Sequence, residues 1–316
     1  MKSVTKQSKW TRQIKREGKY FIKNLDLTLL ALPTIIIIFI FSYIPMYGLV
    51  LPFKDYKVGL GFWKSPWCGF KNFEYLFNGA DVLRATRNTV LYNIAFIIIG
   101  TIASIAVALM LYNLGKKAVK IYQTILFVPY FVSWVIVSYV VLAMLDMNYG
   151  VFNEIIKVFG GEKIMWYNEP KYWPFIITFM NIWKFTGYNA VVYLAALMSI
   201  DTTLYEVADI EGATKWQKTR YISLAGIKSM IIMLTIMKVG QIFSGDFGLF
   251  YNVPINSSLL YPTTDILNTF TYRALMNMGD TGMSSAATLY QSLAGFILVM
   301  ITNYITSKLD SESALF

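Results

Sequence analysis

The chain has 316 residues, of which 56% are apolar and only 15% charged, against roughly 25% charged in an ordinary soluble protein. That balance excludes a typical soluble enzyme and a disordered chain, because a soluble fold of this size would leave much apolar surface in water. One cysteine excludes an internal disulfide, and the absence of histidine excludes a cysteine–histidine metal site and a serine–histidine nucleophile pair.

The net charge of +10 suits either nucleic acid or a membrane surface, and its distribution separates the two. Residues 1–26 carry eight Lys and Arg among Trp10, Ile14, Tyr20 and Phe21. The apolar run that follows is too long for a secretory signal, and no small-residue cleavage site follows it. The segment suits anionic lipid headgroups, and no nucleic-acid recognition module accompanies it.

Six windows then approach the ~20 apolar residues that a membrane-crossing helix needs. Residues 27–53, 89–112, 121–145 and 284–307 carry no charge, and 173–200 carries only Lys184. The weakest, 227–244, contains Lys228 and Lys238 and is broken by Gly240. The expected fold is therefore all-α and polytopic, with six transmembrane helices in 27–307 and a short tail, 308–316. Six spans put both termini on one side. With the N-terminus inside, the inner segments 1–26, 113–120, 199–229 and 308–316 sum to +8, while the outer segments 54–88, 146–172 and 245–283 sum to zero. The positive-inside rule then places both ends in the cytoplasm.

The chain has no GxxxxGK[ST] loop to cradle ATP phosphates and no carboxylate within the spans to build a proton relay. No repeat of 20–50 residues and no matching pair of broken helices suggests inverted transporter halves. If the protein uses energy, a partner must supply it, and the chain is not an enzyme by itself.

Between spans four and five, residues 205–222 read YEVADIEGATKWQKTRYI. The stretch is polar and helix-permissive. Ala208, Gly212 and Ala213 fall on one face of a continuous helix, where small residues admit another backbone. Glu206, Glu211 and Lys215 fall on its surface, with Glu211 and Lys215 spaced as an i,i+4 pair. A solvated linker helix is the plainer alternative. A mid-helix glycine costs about 1 kcal/mol, which favours close packing.

This loop resembles the EAA motif of binding-protein-dependent ABC importer permeases, E-A-A-x-x-D-G-A followed by x5-F-x-x-I-x-L-P. Glu206, Ala208, Gly212, Ala213, Ile222 and Leu224 match it, whereas Val207, Glu211, Thr219 and Ala225 depart from the usual Ala, Asp, Phe and Pro. The segments YIPMYG (43–48), FKDY (53–56), GFKNFEYLF (69–77), DFGLFY (246–251), YPTTD (261–265) and YRAL (272–275) look like the polysaccharide/oligosaccharide branch of the maltose-transporter-like permeases. The resemblance runs from about Leu25 to the C-terminus. It implies a type I importer permease fold in the bacterial cytoplasmic membrane, with the 199–229 loop as the coupling helix seated in an ATPase subunit. It also implies a heterodimer with a second permease, two ATPase subunits holding ATP and Mg, an extracellular solute-binding protein, and no cofactor or metal in this chain. A secondary transporter or channel for a small solute is the competing class.

Sugars are recognised by aromatic faces and by groups that hydrogen-bond hydroxyls. The candidates for the substrate path are Tyr130, Trp134, Asn181, Trp183, Lys184, Tyr188, Lys238 and Gln241, with Asn189, Phe243, Tyr290 and Gln291 behind them. Each aromatic also suits lipid contact or the interfacial belt. Asn181, Lys184 and Tyr188, at i, i+3 and i+7, share a helix face. Lys184 lies about 18 Å into its span at ~1.5 Å per residue, too deep for easy snorkelling. Lys238 lies nearer the outer surface. An unpaired lysine there suits a partner contact, a hydrated cavity wall, or an oligosaccharide bearing uronic acids. Thr263 or Thr264 is expected to cap an outer-loop helix with Asp265 in its first turn.

Overall fold

The computed structural model describes residues 24–309, without the side chains of 75–78 and 309. The basic segment up to residue 23 and the end of the tail lie outside the described residues. The chain forms two units, Met1–Leu51 and Pro52–Phe316.

In the first unit, α1 (Leu25–Ile38) runs into a π turn, Phe39–Tyr43, and then a 3-10 stretch, Ile44–Phe53, whose last two residues belong to the second unit. Apolar side chains cover every face and α1 buries none of them, so the hydrophobic effect gives this helix no preferred orientation in water. Such a helix is stable where the surroundings are themselves apolar.

The second unit is a helical bundle. Its helices are α2 (Lys71–Asn78), α3 (Ala80–Tyr112), α4 (Lys116–Phe131), α5 (Trp134–Met144), α6 (Val151–Val158) and α7 (Trp173–Met198). They continue with α8 (Thr203–Ile210), α9 (Lys215–Lys218), α10 (Lys228–Gly240), α11 (Phe247–Asn252), α12 (Leu267–Met276) and α13 (Thr281–Leu309). Among the described residues, three helices are long and apolar enough to cross a membrane: Leu25–Phe53, Ala80–Tyr112 and Thr281–Lys308. Counting each bent pair as one span gives up to six, the pairs being α4 with α5, Pro170–Met198 with α8, and Lys215–Gly226 with α10.

Helices α3 and α7 run parallel, side by side, as the spine of the bundle. Small side chains on α3 (Ala85, Thr89, Gly100, Thr101, Ser104 and Ala108) are buried and allow close approach. The N-terminal halves of both helices meet in one cluster, with Tyr92 against Trp173, Ile177, Leu249 and Phe250. Their C-terminal halves meet in a second, with Ala108 and Leu111 against Ala190, Leu194 and Leu197. A third cluster joins Val82 and Ala85 of α3 to Leu267 and Phe270 of α12 and to Ala286 and Ala287 of α13. Where α10 meets α13, Gly295 lies so close to the Gly240 carbonyl that a Cβ would sit 2.7 Å from it.

Two expected elements differ. Window 121–145 is not one straight helix: α4 and α5 meet at 92°. Asp265 does not begin a helix. The short helix Tyr261–Thr264 ends there, and α12 starts at Leu267, with Thr269 Oγ1 accepting the Ile266 N–H at 3.0 Å. Asp265 is instead buried, pairing with Arg273 at 2.6 Å and Arg84 at 3.9 Å. Asn88 of α3 donates to the carbonyls of Pro262 and Asp265, which pins this turn to the spine.

Candidate functional site

The break between α4 and α5 organises the site. Pro129 removes a helical donor near the end of α4, and Ser133 caps the start of α5 by accepting the Ile136 N–H at 3.3 Å. At the end of α4 the Pro129 carbonyl accepts only the Val132 N–H at 3.3 Å, and the carbonyls after it lack helical partners. Lys184 of α7 supplies them. Its Nζ donates to the carbonyls of Pro129 at 3.3 Å, Tyr130 at 3.2 Å and Val132. An ammonium has three N–H donors, so all are engaged. The charge also sits at the negative end of α4 and 4.9 Å from the Trp134 ring centre, and Lys184 is only 6% exposed. One turn further along α7, Gly187 makes the crossing possible, because a Cβ there would overlap the Leu126 carbonyl.

This corrects the expectation that Lys184 is an unpaired cation. Trp134 is likewise held in the frame: its Nε1 donates to Asp246 Oδ2 at 2.6 Å, while Asp246 Oδ1 caps α11 by accepting the Leu249 N–H at 3.2 Å.

A cavity of about 410 Å³ opens beside the break. Its size falls within the ~300–1,000 Å³ range of ligand pockets. It is lined by Asn93, Phe96 and Gly100 of α3, Tyr130 of α4, residues from Asn181 to Asn189 of α7, Lys238 of α10, and Gln241, Ser244 and Asp246 beyond it. Along α7 it lies midway between the two buried ends of the spine. The Tyr130 and Tyr188 rings stack at 4.5 Å and 12°, forming an aromatic wall.

The polar groups of this wall fall into two sets. Asn93 is engaged, donating to the carbonyls of Ile242 at 2.9 Å and Ser244 at 3.1 Å. Asn181, Asn189, Gln241, Lys238 and the hydroxyls of Tyr130 and Tyr188 have no side-chain hydrogen-bond partner among the described residues. Free amides, hydroxyls and an ammonium beside an aromatic face can bind a polyhydroxylated ligand.

Tyr130, Asn181, Tyr188, Lys238 and Gln241 thus converge as the sequence suggests, and Lys184 and Trp134 support them from behind. Trp183 is 41% exposed and does not line the cavity. Phe243 and Tyr290 pack edge to face elsewhere, and Gln291 donates to the Phe243 carbonyl and to Asn268 Oδ1. Sequence reasoning missed Asn93, Thr186, Ser244 and Asp246. A polar side chain inside an apolar window was the available signal for the first two.

The 199–229 loop is a second site, at the C-terminal end of the spine. Thr203 donates its N–H to Asp201 Oδ1 at 2.9 Å, and this bond holds the Asp201 carboxyl below the usual carboxylate range. Helix α8 then ends at Gly212, whose φ of +73° is left-handed. Gly212 donates to the Asp209 carbonyl at 3.2 Å and Ala213 to the Ala208 carbonyl at 2.8 Å, the two bonds of a Schellman turn. Thr214 and Gln217 form a reciprocal capping box that starts α9. Lys218 closes the turn on Asp209 at 2.6 Å. Tyr205 anchors α8 to the bundle, its hydroxyl 2.9 Å from Ser223 Oγ and its ring against Tyr112.

Two expectations are corrected here. Ala208, Gly212 and Ala213 do not share the face of one continuous helix, and Glu211 and Lys215 lie on opposite sides of a break. Gly212 is required by its backbone conformation, since a Cβ there would meet nothing within 4 Å. The turn presents Glu206, Glu211 and Lys215 to the surface, together with an exposed apolar edge of Leu204, Val207, Ile210 and Trp216.

Residues 97–311 match the profile of the binding-protein-dependent transport system inner membrane component family. The chain belongs to that family. Its members are ABC transporter permease subunits, not enzymes. Protein LplB of Bacillus subtilis is 34% identical over 96% of this chain and 93% of its own length. The polygalacturonan/rhamnogalacturonan transport system permease YteP of the same species is 32% identical over 92% and 90%. Among solved structures, a chain of a bacterial ABC transporter that imports the acidic polysaccharide alginate superposes with a TM-score of 0.85. It is 31% identical, and the match covers 93% of this chain and 99% of that one. A structure of the alginate transporter with its alginate-pentasaccharide-bound periplasmic protein gives 0.83 at the same identity, covering 92% and 97%.

Proposed function

We propose that this chain is one of two permease subunits of an ATP-driven importer that moves oligosaccharides into the cytoplasm. A second, different permease completes the pore, and two ATPase subunits carry ATP and Mg. An extracellular solute-binding protein delivers the sugar. The names of YteP and of the alginate transporter place acidic glycans among the cargo of relatives, and uronate-bearing oligosaccharides are the class proposed here.

The observation that carries the reading is the pairing of two features at different depths of one spine. Midway along α7 lies a cavity whose amides and hydroxyls are free. At the far end of α7 lies a rigid turn whose Ile210 is 85% exposed. An aliphatic edge of this kind on an otherwise polar loop is what a docked partner covers. In this reading the body of the permease is 27–307, crossing the membrane six times with both termini cytoplasmic. The 199–229 loop then faces the ATPases. Residues 1–26 lie on anionic lipid, and 308–316 is a cytoplasmic tail.

The mechanism follows from rigidity. Schellman turn, capping box and the Lys218–Asp209 bond fix α8 and α9 as one body, and Tyr205 ties that body to α3. Closure of the ATPases on ATP would therefore move the ends of α3 and α7 together. The cavity between their halves would change its access as they move. Glu206, Ala208, Glu211, Gly212, Ala213 and Lys215 are the coupling residues.

The test is uptake of labelled oligosaccharides into proteoliposomes containing the whole assembly and its binding protein. The expected result is uptake that requires hydrolysable ATP and both ATPase subunits. Uptake by this chain alone, driven by an ion gradient, would establish a secondary transporter instead.

A further inference from the structure

Two lysines interrupt the apolar helices of the bundle, and their environments are opposite. Lys184 has three carbonyl partners and an aromatic face. Lys238, half-buried on the cavity wall, has no ion pair, hydrogen bond or ring contact for its ammonium among the described residues. A cation so placed needs water, a counter-ion or a ligand. The one carboxylate on the same wall, Asp246, is engaged with the Trp134 indole at 2.6 Å and the Leu249 N–H at 3.2 Å. Asp246 keeps its charge through these bonds to neutral donors but forms no ion pair with Lys238, and the amides of Asn181, Asn189 and Gln241 in the same cavity are free to bind hydroxyls.

We propose that Lys238 is the specificity residue of the cavity, holding the carboxylate of a uronic acid unit as the oligosaccharide passes. The inference rests on the permease reading above and assigns the anion-binding role to Lys238 instead of Lys184. The cavity then sorts cargo by charge. A uronate gains a hydrogen bond between two charged groups, whereas a neutral sugar offers the ammonium only hydroxyl acceptors, which bind it more weakly. Arginine in place of Lys238 would keep the charge, methionine would keep the stem and remove it, and glutamate would reverse it.

The experiment uses the reconstituted assembly and two probe mixtures. One contains trisaccharides of galacturonate, mannuronate and guluronate, and the other the same trisaccharides with carboxyls reduced to alcohols. Wild type is expected to take up the acidic mixture in preference. Lys238→Met should reduce acidic uptake about ten- to a hundredfold, the value of one hydrogen bond to a charged group, and change neutral uptake less than about threefold. Lys238→Arg should retain most acidic uptake, and Lys238→Glu should abolish it. Equal losses for both mixtures in Lys238→Met, no loss for either, or a wild type without acidic preference would each overturn the assignment. Copurification of the partner subunits with each variant separates a loss of assembly from a loss of selectivity. Wild type that takes up neither mixture with ATP, yet moves solute on an ion gradient, would instead overturn the permease reading itself.

Discussion

Lys184→Met removes an ammonium that closes the end of α4, and its cost can be worked from the three bonds. A hydrogen bond to a charged group contributes about 1.5–3 kcal/mol, so three contribute roughly 5–9 kcal/mol. Taking the cation out of water in the first place costs several kcal/mol. The difference leaves a net loss of about 2–4 kcal/mol, and the carbonyls of Tyr130 and Val132 are left without donors, while that of Pro129 keeps only the Val132 N–H. That corresponds to roughly a 30- to 1,000-fold shift in the folded ratio. Methionine keeps the apolar stem, so packing against α4 changes little. The assay has two arms: thermal melting of the purified assembly in detergent, and reconstituted uptake of neutral and uronate-bearing trisaccharides. Melting is expected to fall by several degrees, and uptake of both sugars should fall in the same proportion. Unchanged melting with loss of acidic uptake alone would refute the structural role and return Lys184 to the substrate path.

Gly187→Ala places a Cβ on the Leu126 carbonyl, so the α4–α7 crossing must open, and the variant should assemble poorly in a pull-down of the partner subunits. Gly212→Ala forces a side chain into a left-handed conformation at a cost of about 1–2 kcal/mol, and it should lower uptake per ATP hydrolysed; Gly212→Asn, better tolerated there, should lower it less. Asp265→Asn leaves the partly buried Arg273 without its counter-charge, so limited proteolysis of the purified assembly should cut 253–280 faster than in wild type, with a loss of up to the ~3–5 kcal/mol of a broken buried pair. For topology, Cys68 should react with a membrane-impermeant maleimide from outside, and a Lys215→Cys variant carrying Cys68→Ser only from inside; labelling of both from one face would refute the six-span arrangement.

The helices were legible in the sequence because apolar runs of this length permit little else, and so was a distinct polar loop between the fourth and fifth windows. The order of Glu206, Gly212 and Ala213 marked a structured turn, but for a different physical reason than helical packing. Periodicity places Ala208 and Gly212 on one face of a helix. Backbone geometry ends the helix between them. Read as punctuation, Gly212 followed two residues later by Thr214 and then Gln217 spells a C-terminal turn and an N-terminal capping box. The break in α4–α5 was legible in the same way, through Pro129 and Ser133 inside an uncharged window. A hydropathy count passes over both residues because neither carries charge.

The exchange of roles between Lys184 and Lys238 could not be read from the chain, and the reason is general. Both are lysines in apolar helices, and depth alone favours Lys184 as the functional one. What distinguishes them is whether a neighbouring helix ends within reach. The carbonyls that engage Lys184 belong to residues 129–132, more than fifty positions away, and those of Tyr130 and Val132 are free only because α4 stops there. Lys238 lines a cavity beside the same broken helix, yet no carbonyl accepts from its ammonium among the described residues. A helix end is thus a counter-ion that the sequence conceals, since it is made from backbone and carries no residue type of its own. An intramembrane lysine becomes a candidate for substrate only after every broken helix around it has been accounted for. By that criterion the deeper lysine holds the frame and the shallower one is left to meet the sugar.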